Sequence, residues 1–114
     1  LVNDTVSQVD APSAFVVCEN LDVGCTRKYY IAKSAPVDAC IVTTHMMLMA
    51  HSIGVGSTWV MHFDPDAMKK TFNIPENIEP VALLTLGYPA DDAKPLDLHS
   101  KSRPIDEVIF YDTF

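Results

Sequence analysis

Two basic residues near the C-terminus are of the types that can bind an anion such as phosphate. Lys101 and Arg103 are separated by one residue, and on an extended segment alternate residues point the same way. A dianionic phosphate needs positive charge, which lysine supplies as a point charge and arginine as a fork of hydrogen-bond donors. The same pattern is also typical of a solvated loop, so phosphate binding and a plain surface segment remain alternatives at this point.

The histidines have poor spacing for a metal site. His45 and His51 lie six residues apart, which places them on opposite sides of a helix. No pair of carboxylates accompanies them or His62. We therefore expect no bound metal, and we interpret His45 as a core or interface histidine.

The three cysteines, Cys18, Cys25 and Cys40, fit neither a disulfide framework nor a CxxC metal pair. Cys18 and Cys40 lie in apolar runs and are expected to behave as small buried side chains. This usage indicates a reducing compartment, so we expect a cytoplasmic protein. Ser57 has no GxSxG setting, so a hydrolase function has no support, and the chain contains neither a P-loop nor a GxGxxG motif.

The composition narrows the class of protein further. A chain of 114 residues suits one domain, so we expect residues 1–114 to form a single domain. The formal net charge is −7, from 8 Lys and Arg against 15 Asp and Glu. This excess of acidic residues argues against a basic face and therefore against nucleic-acid binding. The longest apolar stretch, around residues 39–50, is interrupted and too short to span a bilayer, so no membrane association is expected.

An apolar helix is the strongest structural signal in the chain. It begins at Ser34, a residue type that caps free amide groups, and ends before Gly54. Apolar residues recur at intervals of three and four, and Val42, Met46 and Met49 make the rest of the circumference apolar too. One sheet cannot cover such a helix in so short a chain. The pattern therefore predicts a second subunit or a further segment packed against it.

The other predicted elements are shorter. Residues 13–18 and 81–86 are apolar runs that predict strands buried on both faces. A second helix opens at Asp64, followed by proline and a further acid in the favoured order, and it closes at Asn73. Residues 90–114 are polar and punctuated by proline until an apolar end, which predicts an extended C-terminal arm that docks on a partner.

Several short motifs between residues 37 and 111 occur in a recognisable order. They are Met47-Leu48-Met49-Ala50, Ile53-Gly54-Val55-Gly56-Ser57, Trp59-Val60, Phe63-Asp64, Asn73-Ile74-Pro75-Glu76, Leu86-Gly87-Tyr88-Pro89 and Lys101-Ser102-Arg103-Pro104. No single motif is specific, but the ordered set resembles the C-terminal half of the nitroreductase family of flavoenzymes. The resemblance covers about two-thirds of the chain.

The resemblance implies an α+β fold with three layers, α/β/α, of which this chain is the C-terminal part: a covered sheet, a central apolar helix and the arm. It implies a homodimer with FMN at the subunit interface, NADH or NADPH as electron donor, and a nitroaromatic, quinone or similar small molecule as acceptor. Lys101 and Arg103 would bind the FMN phosphate. Val60, Met61 and His62 would lie beside the isoalloxazine ring, where a backbone N–H approaches flavin N5. Gly54 and Gly56 would let the backbone pass closely before that segment.

One part of the family's site has no counterpart in the sequence. The family's N-terminal segment, rich in arginine and serine, grips the FMN phosphate and ribityl chain, and the 114 residues contain nothing that matches it. We therefore expect either that this segment lies outside the sequence or that the chain alone does not build a whole site. The alternative function is a non-catalytic flavin-binding or structural dimerisation fragment of the same fold.

Overall fold

The computed structural model describes residues 11–25, 28–29 and 34–113, apart from the side chain of His99. Within these residues the chain forms three strands and two α-helices, followed by an arm with two 3-10 turns. In chain order the elements are β1 (Ser13–Asn20), α1 (Ala35–Ser52), β2 (Gly56–Val60), α2 (Pro65–Phe72), β3 (Ile78–Gly87) and the 3-10 turns Asp97–Ser100 and Ile105–Glu107.

The three strands form an antiparallel sheet with β3 in the middle. β3 pairs with β1, where Ser13 lies opposite Leu86, and with β2, where Gly56 lies opposite Gly87. The centre of β3 is buried, through Ala82, Leu83, Leu84 and Thr85. This burial confirms the strand predicted over residues 81–86.

The prediction that β1 is buried on both faces is wrong. Residues 13–15 are exposed, and Phe15 keeps 51% of its surface open. β1 is an edge strand bordered only by β3, and the described residues leave its face toward α1 partly open. The sheet is therefore covered fully only along its centre.

A β-bulge accompanies a proline in the central strand. The register between β1 and β3 shifts after Val17, which lies opposite Ala82, whereas Cys18 lies opposite Pro80. Proline has no N–H to donate to a ladder, so within sheets it is confined to edge strands, strand starts and bulges. The bulge accommodates a residue type that would otherwise interrupt the pairing of β3.

The two α-helices pack on opposite faces of the sheet. Adjacent residues of a strand point to opposite faces. Leu84 of β3 borders the same groove as Met46 of α1, whereas Leu83 packs with Val60 and with Met68 of α2. The resulting order of helix, sheet and helix confirms the predicted three-layer arrangement.

Helix α1 buries one stripe of its surface. Its buried residues are Ala35, Ala39, Thr43 and Ala50. Apolar residues on its other sides stay open, with Ile41 52% and Leu48 63% exposed. Within the described residues, the sheet therefore covers only one side of the helix. This agrees with the expectation that one sheet cannot cover a helix that is apolar on nearly every side. None of the helices in this part of the chain combines the length and apolarity that crossing a bilayer requires.

The two helices begin in different ways. Asp64 caps α2, because its Oδ1 accepts from the N–H groups of Asp66 at 3.0 Å and Ala67 at 3.1 Å. Ser34 precedes α1 with a φ of −80° and a ψ of −15°, and its hydroxyl donates to Asp38 at 3.3 Å instead of capping the backbone. The prediction that Ser34 caps α1 is therefore wrong. A capping side chain needs an extended backbone, which Asp64 has and Ser34 lacks.

Both helices are followed by residues in the left-handed region. Gly54 has a φ of +79°, and Asn73 has a φ of 51°. Glycine adopts this conformation freely and asparagine tolerates it. The helix ends predicted at these two residues are confirmed.

Residues 90–113 form an arm without extensive packing on the helices or the sheet. Its large apolar side chains are exposed: Leu96, Leu98, Ile105, Val108, Ile109, Phe110 and Tyr111. The radius of gyration is 17.3 Å, whereas a compact chain of about 100 residues has a value of about 13 Å. The arm therefore offers an apolar surface away from the sheet and its two helices.

Candidate functional site

The segment that leaves β2, residues 60–62, is one of two places that the sequence assigned to a cofactor; we call it the β2 exit. Val60 is only 8% exposed and packs with Met68 and Leu83. Met61 is 61% exposed, and His62 is exposed as well. The side chain of Val60 therefore belongs to the core, and a ligand would meet the backbone together with the side chains of Met61 and His62.

The β2 exit is held at both of its ends. Val60 is fixed in the core at one end; at the other, Phe63 packs against the same core and Asp64 caps α2. The N–H of Phe63 donates to the carbonyl of Met61 at 3.2 Å. Within the part of the chain that the structure describes, the N–H groups of Met61 and His62 have no acceptor. Two adjacent donors on an anchored turn are thus available to a ligand.

The second place is the basic pair in the arm. Lys101 and Arg103 are both exposed, and the backbone at Lys101 is extended, with a φ of −92° and a ψ of 104°. The N–H of Lys101 donates to the carbonyl of Leu98 at 3.3 Å, which ties the pair to the preceding 3-10 turn. Among the described residues, neither side chain forms an ion pair. Both positive charges are free to meet an anion.

The structure does not join these two places by direct contact. No hydrogen bond or ion pair between described residues links the β2 exit to Lys101 or Arg103. The assignment of these residues to one cofactor site stays a prediction.

Two grooves lie elsewhere on the molecule. One has a volume of about 670 Å³ and lies at the start of β2, where His51, Ser57, Tyr88 and Lys94 are among its lining residues. The other has a volume of about 460 Å³, lies between α1 and the sheet, and is mostly apolar; it is lined by Phe15, Val42, His45, Met46, Met49, Ala50, Ile53, Leu84 and Leu86. Neither groove includes a residue of the predicted cofactor site.

The histidines do not converge on a common point. His45 and His51 are exposed and line different grooves. Over residues 11–25, 28–29 and 34–113, no group of three or more His, Cys, Asp or Glu is placed to hold a metal ion. His45 is not a core residue, because it lies at the open groove beside α1; its role at an interface stays a prediction.

An ion pair that the sequence did not reveal joins α2 to β3. Lys69 Nζ lies 2.5 Å from Glu79 Oε2 and donates to the carbonyl of Glu76 at 3.4 Å. The hydrogen bond to Glu79 raises the pKa of Lys69 above its ordinary value. Burial raises the pKa of the Cys18 thiol, and Glu79 raises it further while Lys69 opposes the change. The thiol is therefore held protonated, which suits the predicted packing role of Cys18.

Gly56 and Gly87 allow neighbouring backbone segments to approach closely at the start of β2. A Cβ added to Gly56 would lie 3.1 Å from the carbonyl oxygen of Gly87, and one added to Gly87 would lie 3.2 Å from Cδ of Pro12. Both distances are tighter than ordinary contacts. The crowding at Gly56 is between β2 and β3, so the predicted approach of this backbone to a flavin stays a prediction; Gly54 serves the turn, since its φ is +79° and nothing lies within 4 Å of its Cβ position.

Comparison with known proteins identifies the family. The sequence profile described as the Nitroreductase family matches residues 10–88. A protein of Methanothermobacter thermautotrophicus, provisionally named an NADH dehydrogenase/NAD(P)H nitroreductase, is 29% identical over 98 residues, which cover 82% of this chain and 49% of that protein. The chain belongs to the nitroreductase family.

Solved structures agree with this assignment. A nitroreductase family protein from Clostridium difficile 630 is 38% identical with a TM-score of 0.83, over 92% of this chain and 62% of that one. An FMN-dependent nitroreductase from Clostridium difficile R20291, at 18% identity and a TM-score of 0.67 over 91% of this chain and 59% of that one, shares the fold. The predicted family and fold class are confirmed. The chain spans about half the length of the curated relative described above.

Proposed function

We propose that this chain is the C-terminal part of an FMN-dependent oxidoreductase that takes electrons from NADH or NADPH and passes them to a nitroaromatic, a quinone or a similar acceptor. Family membership supports the reaction class. The observation that carries the proposal is the β2 exit, an anchored turn with two N–H donors that have no acceptor among the described residues. Lys101 and Arg103, which form no ion pair within the part of the chain that the structure describes, supply the complementary feature, a place for a phosphate.

The residues present fit FMN chemically. The phosphate end of FMN is a dianion, and Lys101 and Arg103 offer a point charge and a fork of donors. The ring end is flat and largely apolar with acceptor atoms along its edge. The N–H groups of the β2 exit donate to such acceptors, and the exposed thioether side chain of Met61 adapts to an apolar surface.

Bound FMN supplies the hydride and electron transfer, and the protein supplies binding, orientation and access. The anchors of the β2 exit at Val60 and Phe63 hold the turn still, so that a ring laid against it keeps one orientation. Met61 and His62 would hold the ring, and FMN would supply the chemistry by which electrons pass from the donor to the acceptor. Because FMN would supply the redox chemistry, the protein needs no dedicated acid–base pair of side chains.

We also propose that the chain functions as a cytoplasmic homodimer. The apolar outer side chains of α1 and of the end of the arm are exposed in the single chain, and large exposed apolar patches mark interaction sites. A stable interface buries about 800 Å² on each partner. In the proposed dimer, the outer side of α1 and the apolar end of the arm together supply this buried area.

The test is the visible absorption spectrum of the purified chain, first saturated with FMN and freed of excess, then treated with NADH or NADPH. Retained flavin absorption that bleaches with the nucleotide is the expected result. Bound flavin that does not bleach favours the alternative, a non-catalytic flavin-binding fragment. A protein that retains no flavin overturns the proposed function and leaves a dimerisation fragment.

A further inference from the structure

The groove at the start of β2 has two walls that close packing holds in place. Pro12 and Pro89 are among its lining residues. A Cβ added to Gly87 would lie 3.2 Å from Cδ of Pro12, and one added to Gly56 would lie 3.5 Å from Cγ of Pro89. Each proline ring therefore rests on the backbone of a glycine. Since Gly56 lies opposite Gly87 in the sheet, one pair of strands positions both rings, and the groove is formed before a ligand arrives.

Three side chains of this groove carry hydrogen-bond donors that are not engaged. They belong to Ser57, Tyr88 and Lys94. Within the part of the chain that the structure describes, these three side chains form no hydrogen bond or ion pair. Thr85 also lines the groove, but its hydroxyl donates to the carbonyl of Thr58 at 3.3 Å. The groove therefore offers two hydroxyl groups and one ammonium group to a ligand.

The charge of the groove differs from that of the chain as a whole. The sequence has 15 Asp and Glu against 8 Lys and Arg, yet none of the described residues that line the groove is acidic. Asp91 and Asp92 precede Lys94 in the chain but do not line the groove. A carboxylate in the groove would therefore meet the ammonium group of Lys94 without meeting a like charge in the lining.

The rest of the lining suits the apolar part of a small molecule. It includes Ala11, Pro12, Leu86, Pro89, Ala93 and Pro95. The volume of about 670 Å³ lies within the range of about 300–1,000 Å³ that is usual for small-molecule sites. Such sites are mostly apolar, with a few polar groups that fix the orientation of the ligand. A single lysine balances the charge of a monoanion, whereas a phosphate dianion would keep an excess of negative charge.

We propose that the groove at the start of β2 binds a small aromatic carboxylate. The carboxylate accepts hydrogen bonds from Lys94, Ser57 and Tyr88, and the ring lies against the prolines. The groove includes neither a residue of the β2 exit nor the basic pair of the arm. The inference therefore does not depend on the proposed function, and either can fail without the other.

The test is a titration of the full chain, free of FMN, with benzoate, followed by NMR through the backbone amide signals of Gly56 and Gly87. We expect both signals to shift and to saturate. Benzyl alcohol has the same ring without the charge, and inorganic phosphate has the charge without the ring. Both should bind more weakly than benzoate.

Three variants identify the groups that hold the carboxylate. Lys94→Met should raise the dissociation constant for benzoate about fivefold, or about 1 kcal/mol, as expected for an exposed ion pair, and should leave that for benzyl alcohol unchanged. Tyr88→Phe removes one hydrogen bond and should raise the constant for benzoate about threefold. Lys70→Met is the matched control, since Lys70 is an exposed lysine of α2 outside the groove, and it should match the unaltered chain.

Four results would overturn the inference. Signals of Gly56 and Gly87 that do not shift would show that benzoate does not enter the groove. Equal weakening by Lys94→Met and Lys70→Met would indicate general attraction between charges. Equal affinities for benzoate and benzyl alcohol would leave an apolar groove that does not select an anion. Phosphate that binds more tightly than benzoate would overturn the assigned class of ligand.

Discussion

Lys101 and Arg103 are the residues whose removal tests the cofactor site most directly. Replacing either by alanine should raise the dissociation constant for FMN, because each charge-assisted hydrogen bond to phosphate contributes roughly 1.5–3 kcal/mol, a factor of roughly ten or more. Fluorescence quenching of FMN on titration measures the change. Lys94→Ala is the matched control. Lys94 is an exposed lysine of the same arm, but it lines the groove at the start of β2 and is not assigned to the cofactor site. An affinity lowered equally by all three substitutions would point to general attraction rather than to a phosphate site.

Lys69 allows a prediction about stability and pH. Its pKa is raised in the folded chain by the hydrogen bond to Glu79, so the folded state binds this proton more tightly than the unfolded state does. The stabilisation is therefore fully present below the ordinary lysine pKa of about 10.4 and is lost as the pH rises through the higher folded value. Lys69→Met should lower the urea midpoint at neutral pH.

The comparison with Lys70→Met isolates the effect of the ion pair. Lys70 is the neighbouring lysine, is exposed, and forms no ion pair among the described residues. Its replacement should change the urea midpoint little at any pH. The deficit of Lys69→Met relative to Lys70→Met should shrink above about pH 10.4. A deficit that stays constant into strongly alkaline solution would show that packing of the lysine stem, not its charge, stabilises the contact.

At the scale of single residues, the sequence predicted roles that depend on the local backbone. Asp64 as a cap and Gly54 as a helix stop follow from the residues around them, and both are confirmed. The pairing of Lys69 with Glu79 could not be predicted in this way, because it depends on how α2 lies across β3. The exposure of His45 likewise depends on what covers α1, which its neighbours in sequence do not determine.

At the scale of elements, we expect alanine substitution at the starts of the two helices to change stability by different amounts. Asp64→Ala removes an acceptor that holds two backbone N–H groups and should lower the free energy of unfolding by about 0.5–2 kcal/mol. Ser34→Ala makes a similar truncation at a residue whose side chain caps no backbone group and should have a much smaller effect. Urea denaturation of both variants measures the difference. Equal losses would mean that the hydroxyl of Ser34 caps α1 in solution.

The elements themselves were largely predictable, but their burial was not. The apolar runs behind β3 and α1 and the capping residues of α2 indicated these elements before the structure did. The run in β1 has a similar composition, yet it forms an edge strand with exposed residues at its start. An apolar run indicates that the side chains of a strand should be buried. The position of the strand in the sheet determines which other residues are available to bury them.

At the scale of the whole molecule, the arm and the outer surface of α1 predict association. Deleting residues 104–114 removes the apolar end of the arm and should weaken the dimer, because these side chains are exposed in the single chain. Analytical ultracentrifugation across a range of concentrations measures the shift toward monomer. Thr71→Glu, at an exposed residue of α2, should leave the sedimentation profile unchanged. A profile that the deletion also leaves unchanged would count against an arm that embraces a partner.

The candidate site is predictable only at this largest scale. Lys101 and Arg103 lie on an arm, and Met61 and His62 lie at the end of β2, with no direct hydrogen bond or ion pair between the two places. No local pattern connects residues so far apart in the chain. Their grouping came from the order of motifs over the whole sequence. The family match supports that order over residues 10–88, which include the β2 exit but not the basic pair.

The pairing of the first strand with the third has a consequence for how the chain acquires its structure. Ser13 lies opposite Leu86, so during synthesis β1 emerges from the ribosome long before its partner exists. Such distant pairings slow folding, because a long loop must close before any contact compensates for the lost entropy. β2 and β3 are close in sequence and are free to pair first. The apolar residues of β1 therefore stay unpaired until β3 has been synthesised, and during that interval they are exposed to aggregation and to chaperones.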